Sequence, residues 1–229
     1  MTDTTEPEQE APVNALIQDV TREDLDSDIE WWFVQYLIEL YNEGVVLDAE
    51  YNTIPMPLSD PVKHRYIEIM KSKQKAGGTR QMLNANSYKP DFNITFNPQW
   101  KDLIYSRFLD GFQFTKQKIP FISYSPSKDA CIIELKGDWT KPSELAQTNL
   151  KRAWTFDKYQ YHIQLIRAPK IFEETFYPQA FLDHPDHIYK VNNAKKKRKK
   201  GDSKYPKART MKQYLDSLEQ FRSKPMKSA

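Results

Sequence analysis

The chain has a single cysteine, Cys131, so no internal disulfide and no cysteine-based zinc site can form. A reducing, intracellular compartment is the expectation that follows. Glycine is also scarce, at six among 229 residues. The pair Gly77-Gly78 is followed by no lysine–hydroxyl pair that would complete a phosphate-binding loop. No apolar run approaches the roughly 20 residues needed to cross a bilayer, and the acidic, proline-containing N-terminus lacks the pattern of a signal peptide. No membrane partner is expected. No internal repeat stands out.

The chain does hold enough apolar and aromatic residues, 39% and 13%, to pack one good-sized domain with tails. Its net charge of +3 is unevenly spread. Residues 190–209 hold ten Lys/Arg against one acid, Asp202, while residues 1–189 carry a net −8. An acidic body suits a site that gathers cations, and a basic tail suits a polyanion. Four segments follow: an acidic, disordered stretch over 1–14, a domain over 15–189, a basic linker over 190–209, and an amphipathic helix within 210–229.

Within the domain, apolar residues Ile29, Trp32, Phe33, Tyr36, Leu37 and Leu40 recur at helical spacing and predict a helix over 28–42. Ser27 is its cap and Gly44 its end. Glu30 stands three residues after Ser27, so a capping box accounts for it without an active site. Strands are expected over 45–54 and 66–70. A basic loop is expected around Gly77-Gly78. Residues 88–96 alternate strictly, with Phe92, Ile94 and Phe96 on one face and Asp91, Asn93 and Thr95 on the other. Residues 97–120 form an aromatic insertion, a hairpin or short helix, serving core packing ahead of base stacking. Pro142 suits the first turn of a helix to about residue 157, which bears Lys151, and residues 161–166 form the next strand. Asp183-His184-Pro185-Asp186-His187 has metal-like residue types, but its proline and polar surroundings favour a surface turn. Met211, Tyr214, Leu215, Leu218 and Phe221 line one face of a terminal helix, expected to dock on a surface rather than join the core.

Between these lies Cys131-Ile132-Ile133-Glu134-Leu135-Lys136-Gly137. Cys131, Ile133 and Leu135 share one face of a strand; Ile132, Glu134 and Lys136 share the other. Packing is the expected role of Cys131. Two charges on a buried strand require compensation, from each other or from a metal ion at Glu134.

Glu30 on a helix flank, Pro90-Asp91 on one strand and Glu134-Leu135-Lys136 on another together resemble the PD-(D/E)XK nuclease superfamily. Within it the chain is most similar to small phage-type endonucleases, which include Holliday-junction resolvases. The resemblance covers about residues 27–168. It implies an α/β, restriction-endonuclease-like αβββαβ core, with a central mixed sheet flanked by helices. It also implies a metal-dependent endonuclease acting on DNA, branched DNA included, in the host cytoplasm if the chain is phage-encoded. Asp91, Glu134 and Glu30 would hold Mg²⁺, with Mn²⁺ as the alternative, and Lys136 would orient the attacking water. Lys151 would contact the scissile phosphate. Lys195, Lys196, Lys197, Arg198, Lys199 and Lys200 would hold polyanion non-specifically, and a homodimer would serve symmetric cutting. The competing expectation is a nuclease-fold module that binds nucleic acid or protein without cutting. One departure from a simple hairpin stands out: 43 positions separate Asp91 from Glu134, so residues 97–120 must loop out.

Overall fold

A computed structural model describes residues 15–69, 74–109, 119–137, 140–184 and 209–222. The architecture is mixed α/β, a five-stranded mixed sheet with helices packed on it. Among the described residues no helix is long and apolar enough to cross a membrane.

Helix α1 (Asp28–Asn42) starts at the predicted cap. Ser27 Oγ accepts from the Glu30 N–H, and Glu30 Oε2 accepts from the N–H groups of Ser27 (3.0 Å) and Asp26 (2.9 Å). Gly44, at φ 69°, turns the chain out of the helix. The predicted stripe is buried except for half-buried Ile29, with Phe33, Tyr36, Leu37 and Leu40 fully inaccessible.

The main sheet holds β1 (Ala15–Leu16), β2 (Val46–Tyr51), β7 (Phe92–Phe96), β10 (Ala130–Lys136) and β11 (Ile163–Arg167), side by side in that order. Strands β2, β7 and β10 pair antiparallel, while β11 runs parallel to β10. The parallel step needs a crossover, and α2 (Pro142–Tyr159) supplies it. Pro142 sits in its first turn, and Gln160 ends it in the left-handed conformation.

Alternation then decides which side chains meet. Phe92, Ile94 and Phe96 of β7 and Cys131 and Ile133 of β10 point to α1, where Phe33 meets Phe92 edge-on at 5.1 Å. Burial pushes the Cys131 thiol well above its ordinary pKa, as suits a packed, inert cysteine. Asp91, Asn93, Thr95, Glu134 and Lys136 are left for the opposite face.

Several elements differ from the sequence expectation. The 88–96 strand is two: β6 (Asn86–Tyr88) pairs with β3 (Met56–Ser59), and β7 begins at Phe92. Proline has no N–H to donate, and Pro90 marks the break between them. The basic loop expected around Gly77-Gly78 is instead a strand, β5 (Gln74–Leu83), paired with β4 (Val62–Ile69). A Cβ on Gly77 would collide with the Tyr66 carbonyl and ring, so the residue's bareness serves the pairing of the two strands. The aromatic insertion contributes β8 (Tyr105–Ser106), paired in parallel with β9 (Phe121–Ile122); Tyr105 packs into the core, stacked on Phe96 at 5.0 Å, whereas half-buried Phe108 lies outside it, stacked on His162 at 4.7 Å. Beyond β11 the chain continues into two short helices, α3 (Ala168–Glu174), with Pro169 in its first turn, and α4 (Gln179–Asp183).

The sequence predicts a terminal helix that docks on a surface rather than joining the core, whereas α5 (Met211–Arg222) is part of it. Tyr214, Leu215 and Leu218 belong to the main apolar cluster, and Tyr214 lies 5.9 Å from Phe176. Arg209 donates to the Glu174 carbonyl at 2.7 Å and fixes the entry to the helix. The apolar face of α5 is thus satisfied within its own chain. The acidic stretch 1–14 and the end of the Asp183–His187 cluster, from Pro185 on, lie outside the described residues.

Candidate active site

One register step beyond the Phe92–Ile133 pair brings Asp91 opposite Glu134. The side chains follow: Asp91 Oδ2 accepts from the Leu135 N–H at 2.6 Å. Glu134 is 7% exposed although it carries a carboxylate, so its oxygens need partners. Lys136 reaches Glu134 Oε1 at 2.6 Å and Tyr88 donates its hydroxyl to Oε2 at 3.0 Å. Three residues predicted from the sequence therefore meet on one sheet face, at the junction of β7 and β10.

The electrostatics of this cluster are strained. The Asp91 carboxyl is pushed up to about 7, chiefly by burial and then by the Glu134 charge. The Leu135 N–H and Lys136 oppose that shift, and Glu30 adds a smaller upward push. A raised carboxyl beside a second acid marks a place where one more positive charge would be stabilising.

Glu30 stands at the margin of the cluster. Its charge is felt by Asp91 and also helps raise the Tyr51 phenol, after burial. Its Oε2, however, is committed to the α1 cap. Among the described residues no three His, Cys, Asp or Glu side chains are grouped as a metal cage, and the two acids brought face to face by the strand register are Asp91 and Glu134. The donors at hand are hard oxygens, which suit Mg²⁺ or Mn²⁺, and such an ion takes only one or two carboxylates with waters completing its shell. Asn93 adds a further oxygen on the same strand face: its Oδ1 is buried without a hydrogen-bond partner, while its Nδ2 donates to Glu50 at 3.3 Å. The donor set fits such an ion.

Lys151 approaches from α2, its ammonium 5.8 Å from the centre of the Tyr88 ring. Next to it on the helix, Arg152 donates to the Ile163 carbonyl at 2.7 Å and ties α2 to β11. The run Lys195–Lys200 lies outside the described residues. Sequence reasoning missed Tyr88. Its signal was an aromatic hydroxyl three residues before the acid, and it was read as part of the same strand. Glu50 was missed too, because only strand pairing brings it beside Asn93. No protein-family model matches the chain, and no curated protein or solved structure matches it either.

Proposed function

We propose that the chain is a metal-dependent DNA endonuclease of the PD-(D/E)XK type, hydrolysing phosphodiester bonds, with branched DNA such as a Holliday junction as a candidate substrate. The observation that carries the reading is the meeting of Asp91, Glu134 and Lys136 at one point of the sheet, from strands separated by 43 positions. The element order α1, β2, β7, β10, α2, β11, antiparallel then parallel, supports it as the arrangement expected of an αβββαβ core.

Asp91, Glu134 and the Leu135 carbonyl would hold Mg²⁺ or Mn²⁺. Such an ion, when bound, lowers the pKa of its water and polarises a phosphoryl oxygen. The residues themselves have distinct tasks. The Leu135 N–H orients Asp91, and Tyr88 orients Glu134. Lys136 brings an ammonium to the pair, where it can orient the attacking water or stabilise charge developing on phosphate. Lys151, whose ammonium lies over the Tyr88 ring, would contact the scissile phosphate.

The test is cleavage of linear, flapped and four-way DNA with Mg²⁺, with Mn²⁺ and in EDTA, by the full chain and by Asp91→Ala and Glu134→Ala. Metal-dependent cutting that both substitutions abolish is the expected result. Undiminished cutting by both variants discards the site. Tight DNA binding without cutting by the unmodified chain would favour an inactive binding module on the same fold.

A further inference from the structure

The ribbon of β4 and β5 is connected to the body at one end and covered by nothing described. Every described side chain over 61–67 and 79–84 is exposed, including Tyr66 at 43%, Ile67 at 66%, Met82 at 60% and Leu83 at 63%. A two-stranded hairpin alone in water is marginally stable, so a ribbon exposed on both faces gains from a surface to lie on. At about 3.3 Å per residue its eight-residue strand β4 extends for about 25 Å.

Its charges indicate what that surface is. Lys63, Arg65 and Arg80 face Gln81, Thr79 and His64, so no acid stands across from any of them. Lys63 and Arg65 alternate with His64, which places them on one face and Arg80 on the other. The paired strands carry net +3 in a region, residues 1–189, whose total is −8. A second copy of the ribbon would be repelled. A polyanion long enough to follow the strand would not.

We propose that the β4–β5 ribbon grips duplex DNA by its phosphates, through Lys63, Arg65 and Arg80. The proposal takes the identity of its ligand from the nuclease reading. The fold links the two: the ribbon returns to the body through Asn84 to Tyr88, and Tyr88 is the residue bonded to Glu134. DNA held by the ribbon is therefore held by a segment continuous with the candidate site. With cations on both faces the ribbon suits a groove, where it can stand between the two phosphate backbones, and phosphate contacts position a duplex without reading its sequence.

The test measures binding in EDTA, where cutting does not interfere, using the full chain and a duplex of about 30 base pairs over a range of salt. Each phosphate contact contributes about 0.9 to the slope of log affinity against log salt, so K63Q/R65Q/R80Q should flatten the slope by about 2 to 3. The charge-preserving variant K63R/R65K/R80K should keep the original slope, and an unchanged Tm should show that both variants are folded. An unaltered slope in K63Q/R65Q/R80Q overturns the proposal while leaving the active-site reading intact. Absence of duplex binding by the unmodified chain overturns it as well, and so does a dimer that the substitutions dissociate while duplex affinity stays the same. Flattening of the slope in a chain that never cuts with metal supports the ribbon and defeats the nuclease reading.

Discussion

The Tyr88 hydroxyl donates to Glu134 Oε2 at 3.0 Å, joining residues 46 positions apart in sequence. Burial first, then the Glu134 charge and this bond, raise the Tyr88 pKa well beyond the ordinary range, so the phenol stays a donor across physiological pH. With Lys136 on Oε1, both carboxylate oxygens are engaged by the protein.

Tyr88→Phe removes one of those partners and leaves a buried charge less satisfied. A hydrogen bond to a charged group contributes about 1.5–3 kcal/mol, so urea denaturation in EDTA should show a loss of that order. Saturating Mg²⁺ should shrink the loss, because it offers the orphaned oxygen another partner. An equal loss with and without metal would detach Tyr88 from any metal site.

Asp91 gives the site a pH signature. Its folded carboxyl titrates at about 7 against an ordinary 3.8, so the folded state holds its proton longer than the unfolded chain. The stability linked to that proton is complete below the unfolded value and is lost as pH rises to about 7. In EDTA the Tm of the unmodified chain should therefore fall between pH 5 and pH 8 more than that of Asp91→Asn. Mg²⁺ at pH 8 should raise the Tm of the former and not of the latter. Parallel pH profiles would show that Asp91 is not the strained acid.

Glu30 has a visible task in the α1 cap, where one oxygen accepts from two N–H groups. Glu30→Ala should cost about 0.5–2 kcal/mol by chemical denaturation. Glu30→Gln, which keeps an acceptor oxygen, should recover most of that. Should Glu30→Gln remain stable yet lose cleavage, Glu30 would belong to the chemistry as well as to the cap.

Leu218 is fully inaccessible beside Tyr214 and Leu215. Leu218→Ala should destabilise the whole domain by about 2–5 kcal/mol, in a single transition shared with α1. A negligible effect would mean that α5 leaves the core in solution and is free for another surface.

The elements that read well from sequence were those whose pattern is local. The stripe from Ile29 to Leu40, the Ser27 cap and Pro142 each announce themselves within one or two helical turns, and α1 and α2 follow. Strand alternation assigned Asp91 and Glu134 each to a face of its own strand, but only the β7–β10 register sets them opposite each other. What failed to read was decided at long range. Glycine and lysine around residue 77 look like a loop, and only pairing with Val62–Ile69 makes a strand of them. Nothing local tells α5 which surface will accept Tyr214 and Leu218; Phe176, in the chain between α3 and α4, does so across the linker. Tyr88 was hidden for a related reason. Its partner Glu134 lies on β10, with β7, β8 and β9 between them in the chain, and Lys89-Pro90 breaks the apparent continuity of its own strand.

Where the chain departs from β2 and where it returns to β7 are the same place. Asn52, at φ 64°, turns the backbone out of the sheet, and its N–H donates to the Asp91 carbonyl at 2.8 Å. Thr53 Oγ1 closes on the Pro90 carbonyl at 2.8 Å. Everything from Thr53 to Pro90 is thus a loop with its ends latched. Loop-closure entropy grows only with the logarithm of length, so this excursion adds about 2 kcal/mol to what a tight four-residue turn would require. The β2–β7 pairing is therefore nearly indifferent to how long the excursion is, and the β4–β5 ribbon can lengthen, shorten or change charge while the sheet that holds Asp91 stays as it is.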